Sequence, residues 1–164
     1  PHNPVYTHHS IDMNKINILF CSNFQRPEKN YKLAKQAIEL LQEKIDINLI
    51  ELKGFNRKEV SDLLNQVSIL LMTSICEGSP QIIKEAMACN CPIVSTDVGD
   101  VKWLLDGVEG CYITSNDPND VADKIRKALD FKGKTKGREK LISLGLDSEH
   151  IAKRIIKVYE EVIL

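Results

Sequence analysis

Two glutamates, Glu77 and Glu85, are separated by seven residues, and a predicted helix N-terminus lies between them. Ser79 followed by Pro80 predicts that N-terminus, because serine commonly caps a helix and proline is favoured at its first position. A helix N-terminus offers unpaired N–H groups and a positive dipole end, which suit a phosphate. Carboxylates accept hydrogen bonds from hydroxyl groups. The segment is therefore typical of a site for a phosphate flanked by sugar and ribose hydroxyls, as in a nucleotide sugar.

The helix predicted after Pro80 has one apolar side and one polar side. Glu85 lies in its second turn on the same side as Gln81, because residues four apart share a helix face. We therefore expect Glu77 and Glu85 to border one pocket, with the helix N-terminus between them. The apolar stripe of this helix comprises Ile82, Ile83, Ala86 and Met87.

Short apolar runs alternate with amphipathic helices along the chain, and this alternation predicts right-handed βαβ units. The expected fold is α/β, a Rossmann-like open parallel sheet of about five strands with helices on both faces. Such sheets bind ligands beyond the carboxyl ends of their strands, so the loops after the first, third and fourth strands are the candidates. The strands are predicted at residues 16–21, 47–52, 69–72, 92–95 and 111–114.

The predicted helices have recognisable start signals. Asn30 is expected to cap the first helix and Asp117 a later one that begins with Pro118. Residues 132–137, rich in lysine and glycine, are predicted to be mobile. A final helix from about Ser148 is predicted to bury Ile151, Ile155, Val158, Tyr159 and Val162.

Length and composition predict one domain and restrict its partners. We interpret residues 1–15 as a linker or flexible segment and 16–164 as the folded domain. A net charge of −1 argues against nucleic acid as the main partner. No apolar run is long enough to span a membrane, and five cysteines without an export signal are interpreted as reduced, mostly buried thiols, which predicts a cytoplasmic protein. The basic run 124–140 is interpreted as a solvated surface, with peripheral contact at the inner face of an anionic membrane as the alternative.

The glutamate segment, continued by EAMACNCPIVSTDVGDV, resembles glycosyltransferase family 4, whose members have two Rossmann-like domains in the GT-B arrangement. The loop RPEKNYKLA after the first strand resembles the same family, and so does the placement of Gly54 and Phe55 before a short helix. The resemblance covers about residues 16–163. It implies that the chain is one half of a GT-B fold, the half that binds the nucleotide-sugar donor.

The resemblance also implies roles for charged residues. Glu77 corresponds to the glutamate that contacts the transferred sugar, which gives it the catalytic role. Glu85 corresponds to the one that hydrogen-bonds the ribose, and Lys29 to the lysine that neutralises the diphosphate. The family often has Gly-Arg after the first strand, where this chain has Ser-Asn at 22–23, so Arg26 is expected to supply that charge.

The backbone of the helix start is expected to face the diphosphate and the sugar. The family often has glycine at the position of Pro80, and proline removes one N–H donor, so these contacts should shift to Gln81 and Ile82. The turn 97–100 is either a simple turn and cap or a further donor contact. The expected donor-binding residues are Arg26, Lys29, Phe55, Ser79, Pro80, Gln81, Ile82 and Glu85.

The implied activity is retaining transfer of a hexose from a nucleoside-diphosphate sugar to a glycan or lipid-linked acceptor, as in polysaccharide biosynthesis. No metal or other cofactor is expected, since no Asp-x-Asp pair stands at a strand end. An N-terminal domain would bind the acceptor, and 164 residues leave no room for it, so donor binding without efficient transfer is expected. From the sequence alone, Glu77→Ala should erase preference for the sugar-bearing ligand and leave nucleoside diphosphate affinity nearly unchanged.

Other classes remain open at this point. A nucleotide-sugar epimerase half-domain and a non-catalytic nucleotide-binding module are the alternatives. A nicotinamide-dependent oxidoreductase is disfavoured, because the residues after the first strand, SNFQRP at 22–27, lack the pattern Gly-x-Gly-x-x-Gly.

Overall fold

The computed structural model describes residues 10–163, and its centre is a sheet of five parallel strands in the order β2-β1-β3-β4-β5. The strands are β1 Ile16–Phe20, β2 Ile47–Glu51, β3 Ile69–Met72, β4 Ile93–Thr96 and β5 Cys111–Thr114. The helices are α1 Tyr31–Gln42, α2 Arg57–Gln66, α3 Gln81–Ala88, α4 Val101–Leu105, α5 Pro118–Asp130, α6 Gly137–Ser143 and α7 Ser148–Ile163. The predicted Rossmann-like α/β fold is confirmed.

The three central strands are buried on both faces. Every residue of β3 and β4 is buried, whereas the edge strand β2 has two buried and three half-buried residues. Helices α1 and α5 pack together over one face of the sheet, and α2, α3 and α6 cover the other. A parallel sheet needs this double cover, since its βαβ crossovers place helices on both sides.

The strand order reverses direction at the centre of the sheet. From β1 the chain crosses to β2 on one side and then returns to β3 on the other, with Ile18 opposite Ile69 in the β1–β3 pairing. The carboxyl ends of β1 and β3 therefore lie side by side at a topological switch point, where open α/β sheets bind their ligands.

The C-terminal helices differ from expectation. The apolar residues of α7 are not buried: Ile151 is 40% exposed and Val162 is 78% exposed. The exposed residues include all five that were predicted as core, Ile151, Ile155, Val158, Tyr159 and Val162. Helix α6 was not predicted, and Thr135 just before it is buried, with its N–H bonded to the carbonyl of Asn90 at 3.0 Å.

Two predicted helix caps differ from expectation. Asn30 stands at the N-cap of α1 in the left-handed conformation, with φ 51°, and makes no side-chain capping bond. Helix α3 begins at Gln81, so that Pro80 is its N-cap and Ser79 lies outside. Ser79 cannot act as the cap because its hydroxyl bonds elsewhere, as described below.

The residues before β1 are attached to the sheet from Ser10 onward. The side chain of Asn48 donates to the carbonyl oxygen of Ser10 at 3.0 Å, and the N–H of Asp12 donates to Asn17 Oδ1 at 2.9 Å. The remainder of the predicted linker, residues 1–9, lies outside the described residues. Within the described part of the chain, no helix has both the length and the apolar character that a membrane span requires.

The five cysteines are all free thiols. Burial raises the pKa of Cys21, Cys91 and Cys111 to about 12, so these thiols stay neutral and unreactive. Cys76 is exposed and Cys89 is half-buried, so the prediction of mostly buried thiols holds only in part.

Candidate functional site

Two loops meet at the switch point, one after β1 and one after β3. The first contains a 3₁₀ turn, Pro27–Lys29, that leads into α1. The buried hydroxyl of Thr73 donates to the carbonyl oxygens of Lys29 and Asn30, each at 3.0 Å, and the N–H of Ile75 donates to the carbonyl of Glu28 at 2.9 Å. These bonds join the two loops into one unit and fix the backbone of Lys29.

Lys29 and Glu77 form an ion pair across these loops. The ammonium group of Lys29 donates to Glu77 Oε1, and only 11% and 16% of the two side chains are exposed. A lysine is rarely this deeply buried unless it is paired, because removing its charge from water is costly. The structure therefore brings together two of the predicted site residues, one from each loop.

An aromatic cluster holds the start of the first loop. The rings of Phe24 and Tyr31 stack with centroids 3.9 Å apart, and both contact Phe20 at the end of β1. The N–H of Phe24 donates to Glu51 Oε1 at 2.8 Å, which attaches the loop to the end of β2. Sequence reasoning missed this cluster, although three aromatic residues near one strand end offered a signal.

Arg26 lies on the outside of the same loop. Its guanidinium binds Glu28 Oε1 through Nε at 2.7 Å and Nη2 at 2.5 Å, and its side chain is 54% exposed. A backbone hydrogen bond and the Arg26 side chain lower the pKa of Glu28, so this carboxyl is charged and partly neutralises Arg26. Unlike Lys29, Arg26 is more than half exposed to solvent.

The loop after β4 is packed tightly against the loop that carries Glu77. The hydroxyl of Thr96 donates to the carbonyl of Ser74 at 2.7 Å, and the N–H of Asp100 donates to the carbonyl of Gly78 at 3.1 Å. Gly99 has φ 57°, and a Cβ there would lie 2.0 Å from the carbonyl oxygen of Gly78. Only glycine fits between these two backbones.

Gly99→Ala should lower the free energy of unfolding by about 2–4 kcal/mol, since it combines a left-handed backbone with a steric clash against Gly78. Gly107→Ala is the matched control: Gly107 also has a positive φ, 72°, but its Cβ would meet nothing within 4 Å. The control should lose only about 1–2 kcal/mol. Urea unfolding of both variants measures the difference, and equal losses would show that the contact with Gly78 is unimportant.

The N-terminus of α3 carries a short polar chain of hydrogen bonds. Lys84 Nζ donates to the Ser79 hydroxyl at 2.6 Å, and that hydroxyl donates to Asp100 Oδ2 at 2.5 Å. The first N–H groups of a helix have no intrahelical acceptors. Because no side chain caps α3, its first N–H groups are available to a ligand. Ser79, Pro80, Gln81 and Ile82 surround this helix start, as expected.

Sequence reasoning missed Lys84 at the helix start and left the role of Asp100 open. Asp100 lies within the turn 97–100, which the sequence left open between a cap and a ligand contact. Lys84 adds a cation one turn into α3, and its position five residues after Ser79 was the available signal.

Glu85 is separate from the Lys29–Glu77 pair. It lies exposed on the second turn of α3, facing a cleft that Arg57 and Val60 of α2 line on the other side. Gln81 shares that side of α3, as predicted, and both residues also line a groove of about 600 Å³ between α3, α6 and α7. Glu77 and Glu85 thus have different neighbours in this structure: Glu77 pairs with Lys29, and Glu85 borders the cleft toward α2.

The loop after β2 leads into α2 near this cleft. Phe55 is half-buried against the core, and the next residue, Asn56, forms a capping box with Glu59 at the start of α2. Asn56 Oδ1 accepts from the N–H groups of Lys58 and Glu59 at 2.9 and 3.0 Å. The capping box thus fixes the backbone just after Phe55, at the start of the helix that lines the cleft.

Among residues 10–163, no three histidine, cysteine, aspartate or glutamate side chains gather closely enough to bind a metal ion together. The charged groups near the switch point are instead the shielded Lys29–Glu77 pair, the exposed Arg26–Glu28 pair, and Lys84 and Asp100, which both bind Ser79. Such an arrangement can hold an anion at the helix start, and the carboxylates of Glu77 and Glu85 can accept hydrogen bonds from hydroxyl groups.

Solved structures share this fold. Sucrose-phosphate synthase from Thermosynechococcus elongatus has a TM-score of 0.75 at 16% identity, over 93% of this chain and 47% of that one. The HepE protein of Anabaena has a TM-score of 0.67 at 14% identity, over 90% of this chain and 49% of that one. The fold is that of one Rossmann-like half of a GT-B glycosyltransferase.

The sequence comparison is more specific. The family model described as "Glycosyl transferases group 1" matches residues 43–130, more than half of the chain, and the chain belongs to this family. An uncharacterized glycosyltransferase of Methanocaldococcus jannaschii is 34% identical over 119 residues, which are 70% of this chain and 33% of that protein. The chain thus spans about a third of that relative and about half of each solved structure.

Proposed function

We propose that this domain binds a nucleoside-diphosphate sugar, with UDP as the nucleoside diphosphate, and supplies the donor site of a retaining glycosyltransferase. The observation that carries the proposal is the meeting of Lys29 and Glu77 beside the uncapped N-terminus of α3 at the switch point. Two structural relatives support the choice of ligand: the Anabaena HepE protein was crystallised with UDP and glucose, and pneumococcal O-GlcNAc transferase with UDP and GlcNAc.

In the proposed complex the diphosphate lies at the start of α3. The N–H groups of Gln81 and Ile82 donate to its oxygens, and Lys29 and Arg26 neutralise its charge. Lys84 adds a further cation through its place beside Ser79. As the bond between the sugar C1 and the diphosphate oxygen breaks, negative charge grows on the leaving diphosphate, and these groups stabilise it.

The two glutamates bind the two ends of the donor. Glu85 accepts hydrogen bonds from the ribose hydroxyls, with the base directed toward the loop at Phe55. Glu77 accepts hydrogen bonds from hydroxyls of the hexose. The acceptor, a glycan or a lipid-linked sugar, would bind to a second domain of the kind that makes up the other half of the solved relatives. The domain alone would bind the donor without efficient transfer.

Titration calorimetry tests this function. UDP and UDP-glucose should bind, uridine should bind more weakly because it lacks the diphosphate, and NAD should not bind at a comparable concentration. Affinity for UDP should fall as salt is raised, since the diphosphate contacts are charged. Absence of UDP binding at millimolar concentration, or equal affinity for UDP and uridine, would contradict a diphosphate site.

A non-catalytic nucleotide-binding module and a nucleotide-sugar epimerase half are the competing functions. Membership of a glycosyltransferase family favours transfer over both. A longer protein that contains this domain and converts UDP-sugar into a glycoside would distinguish transfer from epimerisation, in which the sugar stays on the nucleotide.

A further inference from the structure

Lys29 and Glu77 form an ion pair with each other, and this pairing affects which ligands the site prefers. In the structure, the group proposed to neutralise the diphosphate is already bound to the group proposed to bind the sugar. Both side chains are largely shielded from water, so neither charge can be left alone without cost. A ligand that takes Lys29 must therefore compensate Glu77.

We propose that the Lys29–Glu77 ion pair is an exchange switch that makes the site favour the intact sugar donor over the free nucleoside diphosphate. This inference rests on the donor-binding function proposed above. An intact donor replaces both halves of the pair, because its diphosphate accepts from Lys29 and its sugar hydroxyls donate to Glu77. A free nucleoside diphosphate replaces only one half and leaves Glu77 buried without its cation.

The surrounding contacts keep the pair in place in the absence of ligand. Thr73 holds the backbone carbonyl of Lys29, and the N–H of Ile75 holds that of Glu28, so the lysine cannot move away as part of a loose loop. Gly78, next to Glu77, is held by the N–H of Asp100 and packed against Gly99. The exchange therefore requires rotation of side chains and little movement of backbone.

The switch would also help to release the product. After transfer the sugar is gone, and Glu77 again competes with the diphosphate for Lys29. The negative charge of Glu77 then weakens binding of the nucleoside diphosphate at the step where it must leave. Two anionic groups that compete for one cation weaken each other's binding to it, and couplings of this kind commonly change affinity by fivefold or more.

The test is the affinity of the Glu77→Gln variant for UDP and for UDP-glucose, by titration calorimetry. Glutamine keeps the size of the side chain and removes the charge. The variant should bind UDP about five- to twentyfold more tightly than the wild type, and its preference for UDP-glucose over UDP should shrink. The expectation from sequence alone was no change in nucleoside diphosphate affinity, so the ion pair alters the prediction. Glu109→Gln removes the same charge from an exposed loop and should change neither affinity by more than about twofold.

A second background separates exchange from simple repulsion. The Lys29→Met variant has no cation for which Glu77 and the diphosphate could compete. The gain in UDP affinity caused by Glu77→Gln should therefore be at least threefold smaller in this background than in the wild type. An equal gain in both backgrounds, or no gain in the wild type, would overturn the switch. If the wild type binds neither UDP nor UDP-glucose, the proposed function itself has failed. Circular dichroism and urea unfolding of each variant ensure that only folded protein is compared.

Discussion

Replacing Lys29 with methionine is expected to lower the affinity for UDP by roughly tenfold to a hundredfold while leaving the affinity for uridine nearly unchanged. A charge-assisted hydrogen bond in a partly desolvated site is typically worth about 1.5–3 kcal/mol, which corresponds to that range. The Lys29 side chain is only 11% exposed, and Thr73 fixes its backbone, so its charge acts in a partly desolvated site. The comparison of the two ligands isolates the diphosphate.

The Lys29→Met variant leaves Glu77 without its partner. UDP affinity then falls for two reasons: Lys29 no longer attracts the diphosphate, and the unpaired Glu77 carboxylate repels it. Lys29→Met combined with Glu77→Gln removes both charges, and it should still bind UDP more weakly than the wild type. Lys32→Met is the matched control, since Lys32 is an exposed lysine in the first turn of α1. Equal losses for UDP and uridine in the double variant would remove Lys29 from the diphosphate site.

Replacing Glu85 with alanine should weaken UDP and uridine alike, by about 1–3 kcal/mol or roughly five- to hundredfold. The reason is that a ribose contact is common to both ligands, whereas a diphosphate contact is not. Glu85 lies on the second turn of α3 and borders the cleft toward α2, away from the Lys29–Glu77 pair. It is exposed, so its loss should leave the free energy of unfolding almost unchanged.

The same calorimetric titrations measure this effect, with Glu39→Ala as the control. Glu39 is an exposed glutamate on α1 and pairs with Lys35 at 3.8 Å, so its removal should change neither affinity. Unchanged affinities in Glu85→Ala would contradict the ribose assignment. A loss confined to UDP would instead indicate that Glu85 acts near the phosphates.

Much of the fold could be predicted because the signals are local. Buried parallel strands are continuous apolar runs, and β3, whose four side chains are all buried, is the clearest example. The meeting of the loops after β1 and β3 also follows from the usual behaviour of alternating βαβ units. What the sequence does not contain is the pairing of Lys29 with Glu77, since it depends on a 3₁₀ turn and on the two bonds of Thr73.

Three predictions about the helices differ from the structure, because each depends on contacts or lengths that a local pattern does not contain. The stripe of α7 is truly amphipathic, but the pattern states only which side is apolar and not whether anything covers it. Serine is a residue type that commonly caps helices, yet the Ser79 hydroxyl is bound by Lys84 and Asp100, which are five and twenty-one residues away. Helix α6 has seven residues and few apolar positions, so it is too short for a helical periodicity to be recognised in the sequence.

The most direct test of the account is a crystal structure of this domain with UDP bound. We expect the diphosphate to lie at the N-terminus of α3 within hydrogen-bonding distance of Lys29 Nζ. In that complex Lys29 should have turned away from Glu77, and the ribose hydroxyls should contact Glu85. UDP bound elsewhere, for example in the groove between α3, α6 and α7 without contact to Lys29, would contradict the donor site proposed here.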